Sequence, residues 1–439
     1  LTSDQVNTLD TSEIQALGTD IANLNTAAMQ MLTSDQLAAM TTAQIAGLDS
    51  SDVEALTSSA LTGLHSDQLS ALTSEAFTGM NSADLSALTS SALAGLTTDQ
   101  VNTLNTSEIQ ALGTDIANLN TAAMQTLTSD QLAAMTTAQI AGLESADIGA
   151  LTPAAVIGLS SEQIAALSSS AFSALSTDDL DALTSAALAG MNAAQVGTLN
   201  SAELQALGTD IANLNTAALY ALTSAQLAAL TTDQIAGLDS VDVAALTPAA
   251  LVGLSSDQLA ALSSSAFTGM STDDLGALTS DALSSLTSDQ VHTLDTSEIQ
   301  ALGTYIANLN TVALHALTSE QLGAMTTAQI AELESVDVVA LTSWAVSGLN
   351  SAQIAALSSG AFEGMSTDDL GALTSEALSS LTSDQAHTLD SSEIQALGTD
   401  IANLNNAAMQ TLTSEQLAAM TTPQIAGLDS ADVVALTSS

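Results

Sequence analysis

The chain has 439 residues, with 48 Asp and Glu against no Lys, Arg or Cys, for a formal net charge of −48. Without cationic side chains it cannot displace counterions from phosphates or settle on anionic lipid, which excludes nucleic acid and charged membrane surfaces as partners. Hydrophobic residues make up 46% and aromatics only 2%, and the aliphatics are dispersed, so no stretch approaches the roughly 20 apolar residues that cross a bilayer.

The same aliphatic content separates the chain from disordered acidic proteins, which lack the apolar material to offset ordering entropy. No disulfide framework or thiolate metal site is available. The sequence starts at Leu1 without a basic-then-apolar leader and stops inside its pattern at Leu436-Thr437-Ser438-Ser439, so we expect a piece of a longer protein.

From the N-terminus, large apolar residues fall at Leu1, Val6, Leu9, Ile14 and Leu17, then at Ile21, Leu24, Met29, Leu32, Leu37, Met40, Ile45 and Leu48. Steps of five and three alternate, giving an eight-residue consensus L-[TS]-S-D-Q-[VIL]-A-A with one seven-residue unit at residues 17–23. A longer period overlies the first. Val6-Asn7-Thr8-Leu9 returns at Val101, Val196, Val291 and Ala386, a step of 95 residues each time, so eleven octads and one heptad form a super-repeat. Self-similarity of this kind is read before any other signal. It divides the chain into super-repeats 1–95, 96–190, 191–285 and 286–380 and a partial fifth at 381–439.

One continuous helix cannot carry this pattern, because an eight-residue repeat drifts by about 80° per unit and leaves no apolar stripe. A strand fails too, since odd steps place successive apolar residues on opposite faces. A short helix in each unit succeeds. With Thr2 as N-cap, Leu1 and Val6 form a hydrophobic staple, and Thr2 with Gln5 forms a capping box. The same grammar fits Thr33 with Gln36, Thr41 with Gln44 and Thr97 with Gln100. Carboxylates in the first turn complement the helix dipole. Pro153 and Pro248 directly follow proposed caps and Pro423 falls one place later, all within the turn where proline is tolerated. Two buried aliphatics cannot offset the ordering of eight residues, so the units must stack. The expected fold is all-α: a solenoid or superhelix of very short capped helices, about one per octad.

The units at Leu32-Thr33-Ser34-Asp35-Gln36-Leu37-Ala38-Ala39 and Met40-Thr41-Thr42-Ala43-Gln44-Ile45-Ala46-Gly47 resemble the low-complexity octad tracts of very large secreted or surface-attached bacterial proteins, often described as adhesins. The resemblance covers the whole chain and brings no catalytic residues. It implies an extracellular or cell-surface location and a stalk or fibre role.

Five acidic pairs recur in register: Asp49 with Asp52, Glu144 with Asp147, Asp239 with Asp242, Glu334 with Asp337, and Asp429 with Asp432. Residues three apart share a helix face, so each pair is a candidate for Ca²⁺ or another divalent cation; the competing reading is a cap and its first turn. Asp178-Asp179, Asp273-Asp274 and Asp368-Asp369 read as solvated charge, with Asp84 alone in the matching place of the first copy. The four histidines, His65, His292, His315 and His387, are absent from the matching positions of most copies, so they read as surface residues. No Gly-x-Ser-x-Gly elbow occurs and no His is consistently placed as a base; an enzyme is not expected, nor a small-molecule substrate. Phe77, Phe172, Phe267 and Phe362 lie 95 residues apart in the interior staple position. They either fill the core or mark a lateral contact once per super-repeat. Gly18, Gly113, Gly208, Gly303 and Gly398 mark the heptad, relaxing the backbone where a residue is missing. These features point to a non-catalytic structural protein that self-associates into a filament, sheath or surface fibre, with an adhesin stalk or a cation-dependent binding module as the alternative.

Overall fold

The computed structural model describes residues 1–437 and side chains as far as Leu436; Ser438 and Ser439, with which the repeat pattern ends, lie outside the described residues. Among the described residues every regular element is helical: 50 α-helices and five 3₁₀ helices. The chain forms two compact units, Leu1–Ala221 and Leu222–Ser439.

The capping boxes expected from the sequence are present. In the helix Ser3–Thr8 the Thr2 hydroxyl accepts from the Gln5 N–H and the Gln5 side chain accepts from the Thr2 N–H, closing a capping box. Thr33 with Gln36, Thr41 with Gln44 and Thr97 with Gln100 close the same way. Pro153 and Pro248 open the helices Pro153–Val156 and Pro248–Leu251, and Pro423 is the second residue of Thr422–Gly427. Most six-residue helices end where the next staple leucine turns extended, as at Leu72 with φ −63° and ψ 132°, whereas shorter ones end on a residue still helical, as at Thr62. The extended residue is the entry to the following cap, so termination and initiation share one leucine.

Within each unit the helices stack in threes. Ser34–Ala39 packs on Ser58–Leu61 and Ser66–Ala71 on Ser90–Leu93 in the first unit, and Ser256–Ala261 packs on Ser280–Leu283 in the second. One coil, here called a rung, is therefore three helices, and hydrogen bonds such as Ser3 Oγ to the Ala27 carbonyl join residues 24 apart in adjacent rungs. The interior is built from the staple aliphatics and, in the helices whose third residue is Ala, from that alanine as well, as with Leu37, Ala60 and Leu61, all essentially without exposure. This is an α-solenoid arrangement with an unusually short repeat.

The heptad departs from the rest. Leu17 stays helical at φ −63° and ψ −20° instead of extending, and the missing residue is absorbed by a 3₁₀ helix, Gly18–Asn23. Gly18, Gly113, Gly208, Gly303 and Gly398 have φ between 53° and 57°, and no other residue among those described has positive φ. Left-handed backbone costs an L-residue roughly 1–2 kcal/mol, so glycine is required at each.

Over much of each copy, longer and shorter helices alternate, and the alternation has a packing cause. Helices such as Ser34–Ala39 run six residues, whereas Ser58–Leu61 runs four and is followed by Gly63. A Cβ on Gly63 would overlap the backbone oxygen of Ser34 in the rung below, and Gly158, Gly253 and Gly348 meet Ser129, Ser224 and Ser319 in the same manner. The rungs thus approach closely wherever a short helix crosses the first turn of a long one.

Candidate functional site

The recurring feature with defined chemistry is the corner where one rung meets the next. The third helical residue there is usually Gln, and the structure gives it two tasks. Gln100 Oε1 accepts the Thr97 N–H at 2.9 Å, while its Nε2 donates to the carbonyls of Leu69 and Leu72, each at 2.8 Å, across the rung boundary. Gln163 does the same to Leu132 and Met135, and in the second unit Gln290 to Leu259 and Leu262. These glutamines are buried, so each amide stands between a cap N–H and two helix-end carbonyls that would otherwise be short of a partner. After the heptad, the cap residue itself reaches down: Asn120 Nδ2 donates to Ala94 and Leu96.

Besides the acidic pairs, one corner in each of the four full copies carries Asp in place of Gln: Asp84, Asp179, Asp274 and Asp369, all buried. This corrects the expectation of solvated charge, which holds only for the preceding Asp178, Asp273 and Asp368. The carboxylate is at the third helical position, facing the rung below, and its neighbour one residue earlier faces out.

The five acidic pairs are brought together, each as a cap and its partner. Asp49 and Asp52 exchange bonds with each other's N–H at 2.9 and 3.1 Å, Asp239 with Asp242 and Asp429 with Asp432 likewise. Asp147 and Asp337 accept from the N–H of Glu144 and Glu334 at 2.8 Å. Burial first, and the neighbouring carboxylate after it, push Asp52, Asp147, Asp242 and Asp337 above the ordinary aspartate range. Among the described residues no three His, Cys, Asp or Glu side chains converge as a metal site; the pairs are occupied by backbone donors, and a Ca²⁺ needing six or more oxygens finds only two carboxylates at each.

The lateral-contact reading of Phe77, Phe172, Phe267 and Phe362 is overturned, because all four are at most 2% exposed. They fill the interior as the largest side chains of their rungs. His65, His292, His315 and His387 are exposed, and a ring nitrogen of His292 and of His315 hydrogen-bonds a backbone carbonyl, of Ser288 and Ala340. Sequence reasoning missed one surface feature. Thr311, Val312, His315, Val336, Val339 and Ala340 line an open apolar cleft of about 440 Å³, with the three valines 63%, 59% and 67% exposed. In the first copy the valine positions are Ala27, Ser51 and Glu54, a contrast visible once the copies are aligned at 95 residues. No helix among the described residues is long and apolar enough to cross a membrane.

The fold and its corners define a class: an α-solenoid of tandem short helices, capped locally and tied rung to rung by buried side-chain amides. Within that class the chain belongs to the ALTTAQ repeat family, whose model matches at residues 19–50, 77–114, 113–143, 140–177, 172–209, 209–240, 235–272, 267–304, 306–335 and 330–367. The motif stands here as Ala39-Met40-Thr41-Thr42-Ala43-Gln44, the boundary between two helices with the Thr cap and its corner Gln. No curated protein matches the chain.

Proposed function

We propose that this is a non-catalytic structural protein, an extracellular filament, sheath or surface fibre in which the stacked rungs act as a regular spacer. The observation that carries the reading is the agreement of two periods: twelve units stacked in threes make four whole rungs per 95 residues. Within a unit, each side chain of one copy therefore returns to the same side of the stack in the next. A face that repeats without drift is what lateral or end-to-end association of identical chains uses. The cap hydroxyls and third-position amides, which recur most regularly, are engaged in capping and in closing corners. A surface of one sign of charge repels itself until screened, so assembly would draw on cations such as Ca²⁺ as counterions. Resistance to trypsin, expected of a chain without Lys or Arg, suits exposure outside the cell.

A stalk is the second form of the same reading, favoured by the apolar cleft of the fourth copy, which gives an otherwise repetitive surface one distinct place for attachment. Electron microscopy of the purified chain at high salt with millimolar Ca²⁺ tests both. Filaments with an axial repeat of about 32–40 Å, four rungs at ordinary helix spacing, are the expected result. Dispersed monomers would overturn the filament and sheath and leave the stalk.

A further inference from the structure

The amide that closes most corners brings its own donor; the corner at Asp179 has none. Asp179 is 4% exposed. Its Oδ2 accepts from the Ser176 N–H at 2.9 Å and from the Ser176 hydroxyl at 2.6 Å, while its Oδ1 is buried without a partner. In the corner two helices earlier, Gln163 Nε2 donates to carbonyls 31 and 28 residues back. The same offsets from Asp179 lead to Ile148 and Leu151, at the end of the helix Ser145–Ile148. By register, then, Oδ1 takes the place of the amide nitrogen, one methylene short, and turns an acceptor toward two acceptors. In the first copy the conflict is resolved, because Ser58 donates its hydroxyl to Asp84 Oδ1 at 2.7 Å. The residue matching Ser58 in the second copy is Pro153, which has no side-chain donor. No Lys or Arg exists anywhere in the chain to fill the gap.

We propose that this corner binds one desolvated monovalent cation of the sodium, potassium or ammonium class, ligated by Asp179 Oδ1 and the carbonyl oxygens of Ile148 and Leu151. Charge selects the class. One carboxylate is neutralised by a single positive charge, whereas a divalent ion would leave an excess charge buried and would want six or more oxygens. Backbone carbonyls can replace the hydration shell of an alkali cation. In the second unit Asp274 accepts from the Ser271 N–H and hydroxyl in the same way, and Pro248 stands at the position matching Ser58. The site is independent of any filament role.

Thermal melting in sodium, potassium and ammonium chlorides, against tetramethylammonium chloride at the same ionic strength, holds the screening of the acidic surface constant while changing what fits the corner. The wild-type chain is expected to melt about 2–4 °C higher in at least one small cation. The double variant D179Q/D274Q, which installs the residue of the neighbouring corners, should lose that difference. The converse variant S58A leaves Asp84 Oδ1 without its donor and should enlarge the difference, keeping the test informative if the first variant folds poorly. A wild-type melting point indifferent to the cation, as when water fills the corner, overturns the proposal. So does an equal cation preference in D179Q/D274Q, or an S58A chain that gains none.

Discussion

The first two super-repeats, residues 1–95 and 96–190, lie in the same compact unit and share most of their sequence, yet they close their rungs differently at two places. In the first, Gly79 crosses the helix Ser50–Ala55, and a Cβ there would overlap the Ser50 backbone oxygen. In the second the matching residue is Ala174, and the glycine has moved to the other partner: the lower helix is cut to Ser145–Ile148 and followed by Gly149, 3.9 Å from Ala174 Cβ where its own Cβ would stand. Room is conserved between rungs although no single residue is. At the Asp corner no such exchange occurred, because Ser58 became Pro153 while Asp84 stayed Asp as Asp179. The added methyl of Ala174 is accompanied by a shorter helix beneath it, and a hydrogen-bond need was left open. Contact between rungs is therefore a property of residue pairs across the boundary.

The largest effect should come from breaking the steric pair. Gly79→Ala in the first copy is expected to cost about 3–4 kcal/mol, as overpacking against backbone that cannot move aside. Adding Glu54→Gly, which recreates the second copy's arrangement, should recover about 1–2 kcal/mol of it. A denaturation double-mutant cycle measures this, and strict additivity would show that the exchange of glycines is coincidence. Next comes the Gln corner common to both copies. Gln68→Leu strands the His65 N–H and withdraws the amide donor from the Leu37 and Met40 carbonyls, for an expected loss of about 2–3 kcal/mol. Asp179→Gln in tetramethylammonium buffer, where no small cation competes, should raise stability by about 1 kcal/mol. Asp84→Gln, which takes the acceptor from Ser58, should not. Equal responses at the two corners would remove the contrast drawn between them.

What the sequence made legible is what lies within one unit. Thr33 with Gln36, Leu32 with Leu37, the placement of Pro153 and the glycine of the heptad each follow from interactions spanning five residues or fewer, so an eight-residue pattern contains them. The number of helices per rung is not local, since it depends on how far each corner turns, and nothing in one octad states it. For that reason Gln was read as a capping residue and its second task, through Nε2, was invisible. Asp179 reads as solvated because its burial comes from the rung beneath, and the pattern leaves Phe77 between core and lateral contact because only the stack supplies its neighbours. The glycine exchange at 54, 79, 149 and 174 was present in the sequence as a covarying pair 25 residues apart, but it has meaning only once three helices are known to make a rung.

The smallest expected effect concerns pH, and in it the two copies agree. Asp147 in the second copy, like Asp52 in the first, is pushed above the ordinary aspartate value of 3.8 by burial and then by its acidic partner, which outweigh the Glu144 N–H that lowers it. The folded chain therefore holds that proton more tightly than the unfolded chain does. The resulting contribution to stability is fully present below about 3.8, the unfolded value, and is lost as pH rises through the elevated folded-state value. Both groups are partly open to solvent, so screening keeps the effect modest. Asp147→Asn retains the acceptor for the Glu144 N–H without the charge, and it should flatten the dependence of melting temperature on pH between neutrality and 4 relative to wild type. Asp178→Asn, at an exposed carboxylate, reports the change in net charge alone. If the two variants flatten the profile equally, self-repulsion of the acidic surface accounts for the pH dependence and the buried cap partner adds nothing of its own.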